Sequence, residues 1–546
     1  MLTSHSKFKD AVNIKFISGT IPFGVNTYIN PAYWTLKSWY KRHGQNNNRI
    51  NWLPAIYHNV GLNERVITEV VNTERPHILC FGLYLWNKDL YQRLGKFIKT
   101  TWPEIVLIGG GPEISAHKDL EGFWQTYDWL DVAIYGDGEE AFTLLIDNLL
   151  GSNTELINVS VPNKLMPFRR FKDKDFNTVS PFLDNIDDVK YAVSNLRTDL
   201  PNIEIRINWE FTKGCPYACS FCDWSSGLHH KVTRKEYDWK LDLDFLSSLD
   251  VTVRWADANI GMFKTDIDII KYAYALEDKN PKFEFIFRDF AKLHKKAVFD
   301  IIDFIETSHP GKVNHFLTVQ DINPTVLNNI DRPDVPWPVF KSHIIEMKNK
   351  HPSFIHSIEM MIGLPGQTLE SFSESLLELV ELDPKQILGH IWCMLINSPG
   401  YDKEYQKRFG IKTAPAYIIS DIHKLTSRSE IAQHIDECEY YAADIVIETN
   451  TANISDIMAM LGMVYFYNEW HNMRSFHKST FHKIIQNIPH WKNFGNDMEK
   501  ILKKDLQSFS KILLLPEAHH RPVTFSTFFG TKDNLLSFIR SAQHLS

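Results

Sequence analysis

The chain has 546 residues, too many for a single core, and 44% of them are hydrophobic, so roughly two to four domains are expected. With 59 basic against 66 acidic residues the net charge is −7. That balance gives no global field for nucleic acid or an acidic membrane surface. No apolar run is long enough to span a bilayer, and the first ten residues lack the apolar block of a signal peptide. A cytoplasmic protein, with neither a membrane nor a nucleic-acid partner, is therefore expected.

The first 150 residues alternate strand and helix. Val12–Ile17 reads as a strand, followed by a Gly/Pro loop and a helix over Ala32–Arg42. His77–Gly82, Ile105–Ile108 and Asp131–Tyr135 are short apolar runs bounded by breakers, as buried parallel strands are. Helical patterns cover Lys88–Lys99 and Glu139–Leu150. This repetition predicts a doubly wound α/β domain that binds ligands at the C-terminal ends of its strands. Residues 151–200 show little periodicity and read as a linker. Alternation returns over 201–400, with strands expected at Glu204–Glu210, Thr252–Trp255, Lys282–Phe287, His315–Val319, Ser357–Ile362 and Ile387–Trp392. Such a series predicts a partial (β/α)6 barrel. Residues 401–546 read as mainly helical, over Ile418–Ile447, Ser455–Phe476 and Asn496–Leu513.

Of six cysteines, Cys80, Cys393 and Cys438 are scattered and read as buried thiols. Cys215, Cys219 and Cys222 are clustered in Lys213-Gly-Cys-Pro-Tyr-Ala-Cys-Ser-Phe-Cys, directly after a predicted strand. Three soft thiolates at C-x3-C-x2-C spacing suit an iron–sulfur cluster with one open iron. Zinc is the competing reading, with His229 or His230 as a fourth ligand, but their spacing fits no common finger.

This loop, with Phe221 before its last cysteine, resembles the cluster motif of the radical SAM superfamily. Downstream, Trp255-Ala-Asp-Ala-Asn-Ile-Gly261, Thr318-Val-Gln-Asp-Ile-Asn323 and Ile362-Gly-Leu-Pro-Gly-Gln-Thr368 resemble the second-, fourth- and fifth-strand segments of that family, in order. The resemblance implies a [4Fe–4S] cluster on the three cysteines, with S-adenosylmethionine on the open iron. It also implies that Phe221 faces the adenine, that Asp257 and Asn259 lie near the methionine or ribose, and that Gln320 contacts the ribose. Arg288, Gly363 and Pro365 would line the same site. Read singly, Asp257 and Asn259 are equally good turn formers, Gly363 and Pro365 a tight turn, and Arg288 a surface ion-pair partner.

Three strand-end segments stand out in the N-terminal part: Phe81–Asn87 with Tyr84 and Trp86, then Gly109-Gly110-Gly111-Pro112-Glu113, then Tyr135–Phe142 with Gly136, Gly138 and Glu139. Together they resemble the cobalamin-binding domain found ahead of the barrel in one group of radical SAM enzymes. No Asp-x-His-x-x-Gly loop is present, so His58 reads as a loop histidine and not as a cobalt ligand. The resemblance implies a cobalamin-dependent methyltransferase acting on carbon or phosphorus of a small-molecule or peptide substrate, supplied with electrons by a donor such as flavodoxin or ferredoxin. Two alternatives stand beside it: the same architecture catalysing a non-methylating rearrangement, cyclisation or oxidation, and a non-catalytic iron–sulfur or zinc sensor. In the C-terminal region the apolar helix after Ser455 reads as core, with a substrate lid as the sharper alternative. His519 and His520 read as an exposed loop.

Overall fold

The computed structural model describes residues 8–20, 26–59, 64–114, 120–162, 164–169, 180–199, 204–225, 232–287, 290, 296–332, 336–419, 440–473, 478–515 and 521–522. Arg288, Cys438, His229, His230, His519 and His520 lie outside them. The chain forms two compact units, one of Met1–Pro216, Ser226–Asp257 and Lys271–Phe287, the other of Tyr217–Ser225, Ala258–Ile270 and Arg288–Ser546.

The first unit begins with β1 (Val12–Thr20), β2 (Asn26–Ile29), β3 (Ile50–Trp52), β4 (Ile56–Asn59), β5 (Ile78–Gly82), β6 (Val106–Gly110), β7 (Val132–Ile134), β8 (Val159–Val161) and β9 (Lys164–Leu165). All but β2 join one sheet in the order β3-β1-β5-β6-β7-β8-β9, with β4 also pairing β1. The pairs from β3 to β7 are parallel; β8 and β9 close the edge as antiparallel strands. Apolar runs make this possible. Ile78–Phe81, Val106–Gly109 and Val132–Ile134 are buried throughout, as both faces of a parallel sheet require. The Lys88–Thr101 helix lays Tyr91, Leu94 and Ile98 against Phe81, Leu107 and Trp129.

Two expectations for this part are corrected, and one strand went unpredicted. Residues 151–200, read as a linker with little periodicity, hold the β8–β9 strands and a helix over Ile186–Asp199. His58 lies in β4, opposite Gly19 of β1, and not in a loop. β2, unseen in the sequence, adds to the next sheet.

That sheet carries β10 (Glu204–Trp209), then, past the short antiparallel pair β11 (Thr212–Lys213) and β12 (Thr233–Arg234), β13 (Thr252–Trp255) and β14 (Glu284–Phe287), in the parallel order β14-β13-β10-β2. Its burial alternates along β10, and Trp209, Trp255 and Phe285 meet on the inner face at ring-centroid separations of 5.9–6.2 Å. Fully burying each such ring contributes about 2–3 kcal/mol.

In the second unit β15 (Asn314–Gln320), β16 (Ile355–Ile362) and β17 (Gln386–Ile391) form a parallel sheet. All six expected barrel strands are therefore present. The C-terminal region is mainly helical, with helices at Lys403–Phe409, Ile454–Met473, Lys478–Gln486 and Ile488–Phe509. Both described ends of the helix expected over Ile418–Ile447 are strands instead, and residues 420–439 between them lie outside the described residues. β18 (Lys412–Ile419) pairs antiparallel with β19 (Tyr440–Glu448), and β20 (Ile512–Leu515) and β21 (Arg521–Pro522) extend the sheet. The β-branched and aromatic content of both segments explains the outcome. Every residue from Ile457 to Tyr467 is buried, so the apolar helix is core and not a lid.

Candidate functional site

The cysteine loop leaves β10 through Glu210 and Phe211. In the first unit the backbone of this exit is gripped by Asp257, whose carboxylate accepts from the amides of Phe211 at 2.7 Å and Thr212 at 2.9 Å. Asp257 is 2% exposed, and burial pushes its carboxyl up to about 7 against the pull of those donors. Asp257 therefore positions the loop, and its oxygens face backbone.

Just before Cys215, Lys213 meets the carboxylates of Asp137 and Glu139 from the β7 edge. Glu210 and Lys235 belong to the same charged group. Burial works against the Lys213 charge, but Glu139, Asp137 and Glu210 outweigh it and hold the ammonium charged. Burial likewise raises the carboxyls of Glu139 and Glu210. Glu139, expected as a cobalamin contact, thus faces the cluster-loop lysine.

In the second unit Cys222 closes a turn by donating its amide to the Cys219 carbonyl at 3.0 Å. Ser220, between them, is held by backbone bonds to Ile330 and Gly400. A Cβ on Gly400 would sit 2.7 Å from the Ser220 carbonyl oxygen and 2.4 Å from the Trp392 ring, so only glycine permits this approach. Cys215 and Cys219 are buried, Cys222 and Phe221 half-buried, and none of the three cysteines is in a disulfide. Among the described residues no three His, Cys, Asp or Glu side chains gather as a single-ion site requires. A cubane makes a different demand, because each thiolate ligates its own iron. Three thiols on one short loop fit that demand.

Gln320 ends β15 at a register shift, with φ of +64°, a conformation that costs a non-glycine residue about 1 kcal/mol or more. Its Oε1 is buried and has no hydrogen-bond partner. A strained strand-end residue with an orphan acceptor is what a bound donor group would satisfy. The Gly363–Gly366 turn after β16 is organised by Gln367, which the sequence reading quoted only as part of the motif. Its Oε1 accepts from Gly363 and Leu364 at 3.0 and 2.9 Å, and its Nε2 donates to Asp321 at 2.7 Å. Gly363 and Pro365 are buried in this turn, and Asn259 accepts a backbone bond from Met262 in the turn after β13.

At the N-terminal sheet edge Tyr84 and Trp86 stack at 4.6 Å. Buried Asn87 shapes their loop, accepting from the Tyr84 amide at 2.8 Å and donating to Gly82 at 2.9 Å. Gly111, at φ +106°, lets the next loop approach Leu83, whose carbonyl would stand 2.6 Å from a Cβ. Pro112 follows it, half-buried, while Glu113 is tied down by Lys88 and Tyr127. Gly109 is walled by Leu130 and Ile114, whereas beside Gly110 the nearest atom to a Cβ is 4.0 Å away. Gly136 and Gly138 complete a half-exposed edge of small residues. The buried Trp86 Nε1 has no partner. A glycine floor with an aromatic wall fits a broad flat ligand.

This fold and this loop resemble those of radical SAM proteins that carry a cobalamin-binding domain ahead of the barrel. No protein-family profile matches the chain. It is 27% identical over 357 residues to the cobalamin-dependent radical SAM methyltransferase TokK of Streptomyces tokunonensis, covering 62% of this chain and 50% of that one. It is 26% identical over 423 residues to the 2-(S-pantetheinyl)-carbapenam-3-carboxylate methyltransferase of Streptantibioticus cattleyicolor, covering 73% and 57%. The match thus spans little more than half the length of these curated relatives. Among solved structures, OxsB with aqua-cobalamin and S-adenosylmethionine aligns over 98% of this chain and 79% of its own, with TM-score 0.55 and 13% identity. TsrM from Kitasatospora setae with cobalamin and a [4Fe–4S] cluster aligns over 92% and 100%, with TM-score 0.52 and 10% identity. At those identities the likeness is one of fold. Among the described residues no helix is long and apolar enough to cross a membrane.

Proposed function

We propose that the chain is a cobalamin-dependent radical SAM methyltransferase acting on a carbon of a small organic substrate. The observation that carries this reading is the C-x3-C-x2-C loop at the end of β10, in a chain that also presents the glycine-and-aromatic edge of a cobalamin-type domain. Cys215, Cys219 and Cys222 would hold a [4Fe–4S] cluster. Gln320 would offer its orphan oxygen to a hydroxyl of S-adenosylmethionine, with Phe221, Asn259, Gly363 and Pro365 around it. Tyr84, Trp86, Gly109, Gly110, Gly111, Pro112, Gly136 and Gly138 would form the corrin surface. When bound, the cluster supplies the electron that cleaves S-adenosylmethionine, and the corrin supplies a methyl group to substrate. The protein's contribution is to fix the loop backbone through Asp257 and to keep the charge of Lys213 beside the cysteines.

The division into a cobalamin-type domain (1–150), connecting segment (151–200), barrel (201–400) and C-terminal region (401–546) belongs to this proposal. So does reduction by flavodoxin or ferredoxin. The two methyltransferase relatives favour a small-molecule substrate over a peptide. OxsB, described as a radical enzyme and not as a methyltransferase, keeps a non-methylating outcome as the second reading. Product mass after anaerobic turnover separates them: methyl transfer adds one CH2, and rearrangement or oxidation does not.

A further inference from the structure

We propose that Tyr405 and Asn329 are positioning residues for S-adenosylmethionine: one hydrogen-bonded path through them joins the cysteine loop to the Gly363–Gly366 turn and fixes the distance between these two walls of its site. The proposal rests on the cluster reading above and adds to it the parts that set the width of the site. A sulfonium compound that docks on the open iron and also lies against the turn is held for cleavage only while both supports keep their places.

Every link of the path lies in one compact unit. Tyr405 donates its hydroxyl to the Asn329 carbonyl at 2.7 Å. Having one proton, it accepts from Oγ of Ser220, the residue after Cys219, at 2.8 Å. The Ser220 amide donates to the next carbonyl, that of Ile330, at 2.9 Å. Asn329 then carries the path onward, its Nδ2 donating to the Pro365 carbonyl at 3.1 Å. Gly366 makes room for that reach. At φ +91° it would place a Cβ 2.8 Å from Asn329 Nδ2, so a side chain there would push the amide off Pro365.

A second path returns from the turn. The Gly366 amide donates to Thr451 Oγ1 at 3.2 Å. Beside Thr451, the Asn450 amide donates to the Phe409 carbonyl at 2.8 Å and its Nδ2 to the Arg408 carbonyl at 3.0 Å. Those carbonyls end the helix Lys403–Phe409 that carries Tyr405, so the links close into a ring. Burial pushes the Tyr405 hydroxyl up to about 12, which keeps its proton, and with it the Asn329 bond, in place at neutral pH. The Tyr405 ring packs on Phe409 and Trp392 at centroid separations of 4.9 and 6.3 Å, contacts that a phenylalanine would keep.

The test uses anaerobically reconstituted, dithionite-reduced full-length protein, with the cluster's electron paramagnetic resonance signal followed as S-adenosylmethionine is titrated in. Y405F should keep wild-type iron and the wild-type signal before ligand is added. It should need about three- to tenfold more S-adenosylmethionine for the half-maximal shift, the worth of one or two hydrogen bonds. N329A should behave alike. Because the two residues stand in series, Y405F/N329A should bind no more weakly than the weaker single variant. Y405F/T451V cuts both paths and should bind more weakly than Y405F or T451V alone. An unchanged half-maximal concentration in Y405F, with or without a loss of iron or melting temperature, would overturn the proposal and leave Tyr405 a purely structural residue. Additive losses in Y405F/N329A would overturn the single path. A wild-type protein with no cubane signal would instead overturn the cluster reading, and the proposal with it.

Discussion

The cysteine loop and the N-terminal sheet edge both stand where parallel strands end, yet they are held in different ways. The loop is clamped by groups distant in sequence: Asp257 on the backbone of Phe211 and Thr212, Asp137 and Glu139 on Lys213, and Ile330, Gly400 and Tyr405 on Ser220. The sheet edge is shaped mainly locally, by Asn87 on Gly82 and Tyr84, with the Leu83–Gly110 bond at 2.7 Å tying that loop to the end of the neighbouring strand. Three thiolates must be presented at a fixed spacing before a cluster assembles, and that demands long-range support. A broad planar ligand asks for a floor without side chains and a wall to lie against, which short-range turns supply.

The comparison can be broken in several places. Replacing any one of Cys215, Cys219 or Cys222 by Ala should have the largest effect: bound iron falling well below about four per chain and cleavage of S-adenosylmethionine abolished, by iron analysis and 5′-deoxyadenosine yield. Next is Lys213→Met, which strands Asp137, Glu139 and Glu210 without their cation. Lys213 is 22% exposed, so the loss should be about 2–3 kcal/mol, below that of a fully buried pair. Denaturant unfolding measures it, and Lys213→Arg should recover most of it. Gly400→Ala should cost about 1–3 kcal/mol and, by pushing on Ser220, lower iron retention as well.

At the sheet edge Trp86→Ala should cost no more than about 1 kcal/mol, since its ring is half-buried and stacks on Tyr84, while weakening cobalamin uptake in a binding titration. Equal stability losses at Lys213 and Trp86 would erase the distinction between the two regions. The smallest effect concerns pH. The raised carboxyl of Asp257 keeps its proton in the folded state between its ordinary 3.8 and about 7. The folded state therefore binds more protons than the unfolded one, and this contribution to stability falls as pH rises through that window. Asp257→Asn should flatten that part of the stability profile relative to wild type.

Much of this was legible because period and punctuation carry it. The buried runs of β5, β6 and β7 and the six barrel strands announce themselves as apolar stretches between breakers, and the cysteine spacing is local. The supports were not legible. Gln367 and Asp321 are ordinary polar letters until folding brings the turn after β16 beside the end of β15. Lys213 reads as a residue next to a motif until Asp137 and Glu139 arrive from 76 and 74 positions earlier. The helix read over Ile418–Ile447 failed at its two described ends for the opposite reason. Its aromatic and aliphatic residues satisfy a helical period loosely, and pairing between β18 and β19 decided the matter. β2 was lost because four residues between a Gly/Pro loop and a helix carry too little pattern.

The central claim is most directly tested by electron paramagnetic resonance of anaerobically reconstituted, reduced protein before and after S-adenosylmethionine is added. A cluster held by three cysteines leaves one iron for the sulfonium compound, so the signal should belong to a reduced cubane and shift when the ligand binds. Zinc in place of iron, or a cubane signal indifferent to S-adenosylmethionine, would contradict the account.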